Sequence, residues 1–234
     1  MNNFVSKAQH GFLAKRSTVT NLLELMEDLT NNLNEKASTL VTYINFHKAF
    51  DKVCPAKLML KIESLGIDGP LKACLISFLS GRSQRVKING FLSETRTLCS
   101  GIPQGSVLGP LLFLIYLNDL TDILPVTVES KIYADDLKYY KKISVEDDIH
   151  VLSIALAKIE EWAAMWQMPF SLNKSSLMLF SSSYEYVSGD NLKLNDYILE
   201  ATRESLDLGV IFQYDLKFTA HIDSVVKLGS VYTC

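Results

Sequence analysis

The chain has 234 residues, enough for one large domain or two small ones with ample surface to bury. Its composition, 48% hydrophobic and 21% charged, is that of an ordinary soluble globular protein, with no low-complexity stretch or internal repeat. The net charge of −3 argues against a surface that coats nucleic acid non-specifically, but local fields differ. Arg82, Arg85, Lys87 and Arg96 face Glu94 as the single acid among them, and Lys138, Lys141 and Lys142 interleave with Tyr139 and Tyr140.

Val19, Leu22, Met26, Leu29 and Leu33 recur at helical spacing, with Ser17 or Thr18 available as N-cap. Residues 39–46, β-branched and aromatic, predict a buried strand. Pro55 opens a helix toward Leu65 that Gly66 ends, and Gly69-Pro70 open another that reaches Leu79 and stops at Gly81. Residues 83–98 alternate polar and apolar around Asn89-Gly90, a hairpin signal. After a loop over 101–105, Pro110 suits the first turn of an apolar helix expected to end near Asp122. Strands over 126–133 and 137–142 flank Ala134-Asp135-Asp136 as a second hairpin. Ser144 to Asp147 start a helix that Ile149, Leu152, Leu156, Ile159, Ala163 and Trp166 continue; strands over 176–181 and 206–213 then precede a short tail. Helices interspersed with hairpins predict an α+β fold with an antiparallel sheet and no dividing linker.

Cys54, Cys74, Cys99 and Cys234 show neither C-x-x-C spacing nor a histidine at zinc-ligand distance, which fits buried or free thiols in a reducing compartment. The first residues lack the apolar run of a signal peptide, and the most apolar window, Val107 to Leu117, is too short to span a bilayer. The expectation is an intracellular protein, nuclear or cytoplasmic, that does not engage a membrane.

Asp135 and Asp136 are adjacent carboxylates in a tight turn, whose repulsion a hard cation such as Mg2+ relieves. On its own the pair reads as turn chemistry. The glycines of Ser100 to Pro110 let backbone approach a substrate closely, and no Gly-Lys-Ser/Thr follows to make this a Walker A loop. Taken in order, the segments resemble the reverse transcriptases of non-LTR retrotransposons. Gln9-His10-Gly11-Phe12 with Arg16-Ser17-Thr18 is similar to the family's fingers motif, and Asn45 to Val53 to its first palm motif. Gly101 to Pro110 is similar to the second and Tyr133-Ala134-Asp135-Asp136 to the third. Trp162, Trp166-Gln167-Met168, Lys174 and Met178 resemble the fourth, and Asp207 to Val210 with Asp215 to Phe218 and His221 follow the pattern beyond the palm.

The resemblance implies a right-hand polymerase palm with antiparallel sheet and helices: partial fingers over 1–38, palm with inserted finger-like helices and hairpin over 39–181, and the start of a thumb-like region over 182–234. It implies RNA-directed DNA synthesis on an RNA template and DNA primer, using deoxynucleoside triphosphates and two Mg2+ ions. Asp135 and Asp136 are the implied metal ligands; Lys174 is implied as proton donor to the pyrophosphate. Phe46, Phe50, Gln104 and Gly105 are the implied nucleotide-binding positions, Phe50 excluding a ribose 2′-hydroxyl and Gln104 lying against the incoming nucleotide. Without the resemblance, Phe50 reads as a core aromatic, Gln104 as a loop residue bonded to backbone and Lys174 as a solvated charge.

The family's first palm motif begins with a third catalytic Asp; here that position is Asn45. Asp51 corresponds to the motif's second Asp and is not expected to reach the same point. A unit charge pair at ~4 Å in an effective dielectric of ~20 is worth about 4 kcal/mol. Half of that on the transition state slows the reaction by more than about tenfold, and all of it roughly a thousandfold. Severely impaired catalysis is therefore expected. Ser171 stands where an Asn is usual. With the upstream fingers strands and an endonuclease domain missing, the expectation is a fragment or decayed copy of a mobile element. The alternative is an inactive remnant that retains the palm fold and binds nucleic acid or protein.

Overall fold

The computed structural model describes residues 5–145, 147–182 and 192–231. Its elements in chain order are α1 (Thr18–Asn34), β1 (Ser38–Asn45), α2 (Ala49–Lys52), α3 (Pro55–Ser64) and α4 (Gly69–Leu79). The exposed ribbon follows as β2 (Ser83–Gln84), β3 (Lys87–Ile88), β4 (Phe91–Leu92) and β5 (Arg96–Thr97), and then α5 (Leu108–Leu117). Next come β6 (Glu129–Tyr133), β7 (Asp136–Ile143), α6 (Asp147–Trp166), a 3-10 turn (Leu172–Lys174) and β8 (Ser176–Phe180). The last are β9 (Lys193–Leu194), β10 (Tyr197–Ile198), β11 (Glu200–Ala201), β12 (Glu204–Asp207), β13 (Val210–Gln213) and α7 (Thr219–Val231). The α+β expectation holds.

Two compact units are formed. The sheet unit comprises Lys7–Asn45, Ile123–Glu160 and the residues from Ser171 onward; the helical unit comprises Phe46–Asp122, Glu161–Phe170 and the residues up to Ser6. In the sheet unit, five strands lie in the order β11-β8-β1-β7-β6. All pairings are antiparallel except β11 on β8, a parallel edge that the sequence reading did not foresee.

Strand alternation makes the two sheet faces different. Val41 lies opposite Tyr140 and Met178, so these three share a face, and Leu22, Leu25 and Leu29 of α1 join them in one buried cluster with Phe180 and Phe212. Helix α1 is fixed at its start by a reciprocal cap: Thr20 N–H donates to Ser17 Oγ at 3.2 Å, and Ser17 N–H donates to Thr20 Oγ1 at 2.9 Å. Two steps along β1 the same face carries Tyr43 opposite Lys138, and two further on Asn45 opposite Asp136. The register itself thus brings positions 45 and 136 together.

In the helical unit, α5 is buried almost all round, which explains its uniformly apolar sequence. It stops at Leu117, not near Asp122, and the chain continues in turns. The reason lies in the polar residues after it: Asn118 Oδ1 accepts from Ser6 N–H at 2.9 Å, and Asp119 Oδ1 accepts from Lys61 Nζ at 2.6 Å and Trp162 Nε1 at 2.8 Å. The Asn89-Gly90 hairpin is present, both residues at positive φ.

Three other expectations change. The strand over 206–213 is a hairpin, β12 with β13, because Leu208 and Gly209 take φ of 47° and 91°. A further small hairpin, β9 with β10, turns at Asn195-Asp196. Where a short tail was expected, α7 forms. Among the described residues no helix is long and apolar enough to cross a membrane, and Cys54, Cys74 and Cys99 are free. Cys234, and Glu146 in the predicted start of α6, lie outside the described residues.

Candidate active site

Tyr133 pairs with Asp136 across β6 and β7, leaving Ala134 and Asp135 as a two-residue turn. Ala134 sits at φ 56°, a left-handed conformation that costs an L-residue about 1–2 kcal/mol. Gln9 holds it there. Its Oε1 accepts from Ala134 N–H at 3.0 Å and Gly11 N–H at 2.7 Å, and its Nε2 donates to Ala134 O at 3.3 Å. A Cβ on Gly11 would lie 2.4 Å from Ala134 N, so only glycine allows this approach. The Gln9-His10-Gly11 motif is therefore a clamp on the Asp135–Asp136 turn. Removing it in Gln9→Ala leaves buried amides unpaired, and we expect a loss of about 1–3 kcal/mol. A thermal melt should fall by roughly 2–10 °C; an unchanged melting temperature contradicts the clamp.

His10 is buried beside this clamp, its Nδ1 2.9 Å from Thr20 Oγ1 and its Nε2 3.4 Å from Glu24. Burial, then the Arg16 charge, hold its pKa below the ordinary value, with Lys131 adding to this and Glu24 opposing it. The folded protein thus binds this proton more weakly than the unfolded chain, so the stabilising contribution is full above about pH 6.5 and is lost as pH falls below it. We expect melting temperature to fall more, or rise less, from pH 7.5 to pH 5.5 in the parent than in His10→Asn, because Asp136, whose pKa is pushed up to about 6, gains stability over the same range in both proteins. Parallel profiles for the two proteins contradict this.

At the turn, Asn45 Nδ2 donates to Asp136 Oδ1 at 2.7 Å. The Asn45 backbone is tied to the segment after α6: Ser171 N–H donates to Asn45 O at 2.7 Å and Asn45 N–H to Ser175 Oγ at 3.2 Å. That tie places Lys174 with Tyr43, Asn45, Asp136, Lys138 and Asp207 around a cleft of about 90 Å³. Burial raises the Asp135 pKa, opposed by its own backbone amide and Lys174. Burial, then the charges of Asp135 and Asp207, push Asp136 up to about 6, against Lys138 and Lys174. The buried Tyr43 hydroxyl lines the same cleft without a hydrogen-bond partner among the described residues.

Two adjacent, partly buried carboxylates held above their ordinary pKa, one of them already bonded to the neutral Asn45 amide, form a donor set whose repulsion a divalent cation relieves. The donor set has two carboxylates and one neutral amide, and among the described residues no group of three or more His, Cys, Asp or Glu could hold a metal ion. Asp207, the remaining nearby carboxylate, is in a buried ion pair with Lys138.

Sequence reasoning missed that pair. The run Lys138, Lys141, Lys142 looks like a solvated basic cluster, yet Lys138 is buried against Asp207, Lys141 lies 3.2 Å from Asp148, and Lys142 pairs with Glu35. The available signal was alternation, which puts Lys138 on the face of Val41 and Asp136.

The implied nucleotide-binding residues belong to the helical unit. Phe46 is 3% exposed, stacked on Phe170 with ring centroids 5.4 Å apart and tilted against Trp162 at 6.1 Å. Phe50 is half-buried and stacks on Phe113 at 4.0 Å. Gln104 Nε2 donates to Asp51 Oδ1 at 3.0 Å, and Gly105 sits exposed at φ 77°. Gly101 crosses the Asp51 backbone so closely that a Cβ would meet it at 3.0 Å.

A sequence profile described as "Reverse transcriptase (RNA-dependent DNA polymerase)" matches residues 1–210. The RNA-directed DNA polymerase from mobile element jockey of Drosophila funebris is 29% identical over 228 residues, covering 94% of this chain and 25% of the relative. The probable RNA-directed DNA polymerase from transposon X-element of Drosophila melanogaster is 26% identical over 222 residues, covering 93% and 24%. The chain thus spans about a quarter of the length of the curated relatives it matches. Apo telomerase from Candida tropicalis superimposes with a TM-score of 0.58 at 10% identity, covering 90% of this chain and 36% of the other, a likeness of fold. The C-terminally truncated form of that telomerase gives 0.57 at 13% identity, covering 90% and 40%. Profile, relatives and fold agree, and the chain belongs to the reverse transcriptase (RNA-dependent DNA polymerase) family.

Proposed function

We propose that this chain is the polymerase palm of an RNA-directed DNA polymerase from a non-LTR mobile element, and that Asn45 slows its nucleotidyl transfer severely. The observation that carries the second half is the Asn45–Asp136 hydrogen bond: a neutral amide stands where a third carboxylate would face the metal turn. Asp135 and Asp136 would hold Mg2+, with the Asn45 side-chain oxygen as the neutral donor. When bound, the ion would activate the primer 3′-hydroxyl and stabilise charge on the phosphoryl oxygens. A second ion, which needs the missing charge, would be weakly held.

The remaining residues would act on the substrates, each from its own unit. Lys174 is exposed at the rim of the cleft, its charge felt by both carboxylates, and would deliver a proton to the leaving pyrophosphate. Phe50, fixed by its stack on Phe113, would exclude a ribose 2′-hydroxyl and so select deoxynucleotides. Gln104, oriented by Asp51, and Gly105 would lie against the incoming nucleotide. Phe46 is buried, so its part would be to position the chain after Asn45. The partners would be an RNA template, a DNA primer and deoxynucleoside triphosphates.

Extension of a DNA primer on an RNA template tests this. Slow, divalent-dependent incorporation of deoxynucleotides that disappears in Asp135→Asn is the expected outcome. Incorporation that persists in Asp135→Asn would overturn the assignment of the turn. A second reading, a palm that binds but no longer turns over, is favoured by the same amide, which already satisfies one Asp136 oxygen. Binding of metal and nucleotide without any extension would establish it.

A further inference from the structure

Lys138, Lys141 and Lys142 of the sheet unit are paired with acids, but among the described residues Arg85, Lys87 and Arg96 of the helical unit's ribbon are not. In that ribbon Ser83–Gln84 pairs with Arg96–Thr97 and Lys87–Ile88 pairs with Phe91–Leu92. The register shifts between the two ladders, because Gln84 faces Arg96 while Val86 O accepts from Ser93 N–H at 2.9 Å. Arg85 and Val86 therefore face three residues, Ser93, Glu94 and Thr95, and the extra one makes a bulge that twists the ribbon. Arg82 anchors the base, its guanidinium donating to Leu79 O, Ser100 O and Gly101 O. Beyond it both faces lie open to solvent, and Ile88 and Phe91, cross-strand neighbours at the tip, are 66% and 80% exposed.

Alternation sorts the side chains. Val86, Ile88 and Phe91 share one face, and Lys87 and Leu92 share the other. Arg85, Lys87 and Arg96 have no ion pair among the described residues, and Glu94 is the single acid between Arg82 and Arg96. In a chain of net charge −3, this ribbon is a concentrated positive arm with an apolar aromatic tip. A cationic stem matches a phosphate backbone, and an exposed ring stacks on a base or wedges between two. An apolar protein partner would match the tip but leave three cations without counter-charge.

We propose that the 83–97 ribbon is a nucleic-acid-binding arm, with Arg85, Lys87 and Arg96 on phosphates and Phe91 stacked on an unpaired base. The proposal deepens the polymerase reading by naming a second contact surface, and rests on that reading for the class of partner. It does not depend on turnover.

The test is fluorescence anisotropy of the full chain with an RNA–DNA hybrid carrying a single-stranded RNA overhang, and with an all-DNA counterpart, across a series of salt concentrations. Lys87→Ala and Arg96→Ala should each lower the log–log salt slope by about 0.7–0.9. Phe91→Ala should weaken binding roughly fivefold to a hundredfold with the slope unchanged. Lys158→Ala, an exposed cation on α6, should change neither by more than about twofold. Because these side chains are exposed, melting temperatures should match the parent and exclude misfolding as the cause. If the parent binds and the ribbon variants bind equally well with unchanged slopes, the arm is overturned and the polymerase reading stands. If the parent binds neither probe, both fall. If Phe91→Ala alters sedimentation of the chain but not nucleic-acid affinity, the tip is a protein contact and the proposal is overturned.

Discussion

Restoring the carboxylate in Asn45→Asp is expected to raise Mg2+-dependent primer extension by between about tenfold and a thousandfold. The size follows from one formal charge at ~4 Å in an effective dielectric of ~20, about 4 kcal/mol, of which half or all reaches the transition state. The structure adds a second, independent readout. The parent uses its amide to donate a hydrogen bond to Asp136 at 2.7 Å. The variant's carboxylate could donate nothing and would add a third negative charge to a cluster already strained by burial. In EDTA the variant should melt below the parent, and in millimolar Mg2+ its melting temperature should rise more than the parent's, since a ligand stabilises only the state that binds it. Comparable extension rates and comparable Mg2+ shifts in the two proteins would sink the argument about position 45.

Lys138→Ala is expected to be the most destabilising single change near the turn. Lys138 and Asp207 are 2% and 5% exposed and pair with each other. Burial lowers the Lys138 pKa and raises that of Asp207, each against the pull of its partner, so both ions are held at the expense of their hydration. Removing one partner strands the other, a loss of roughly 3–5 kcal/mol. Replacing both with apolar groups in Lys138→Met with Asp207→Leu should recover most of it, because no charge is then left without a partner. Urea denaturation of the parent, Lys138→Ala, Lys138→Met, Asp207→Leu and the double variant measures this. A double variant as unstable as the sum of its two singles would mean that the pair is not coupled.

How far the sequence reached depended on whether a feature is local. The Ala134-Asp135-Asp136 turn, the Asn89-Gly90 hairpin and the Ser17 cap are written within a few residues, and all three are present. The meeting of Asn45 with Asp136 came from the resemblance and from no local pattern; its physical cause is strand register. Gln9 was legible only as part of a motif, and its clamp on Ala134 needed the parallel bridge that sets Gln9 beside Ile132. The burial of Lys138 was not legible, because a lysine beside other lysines suggests solvent, while its burial is decided by a hairpin that arrives 69 residues later and brings Asp207. That hairpin was itself read as one strand, since apolar residues run on both sides of Gly209 and only the positive φ of Leu208 and Gly209 breaks the run.

The central claim is that Asp135 and Asp136 form the metal turn of a polymerase palm with one carboxylate too few. Titration calorimetry of Mn2+ with a deoxynucleoside triphosphate, on the parent and on Asp135→Asn, tests it most directly. The account predicts a saturable, metal-dependent heat for the parent that is lost in Asp135→Asn. No such heat from the parent, or the same heat from both, would contradict it.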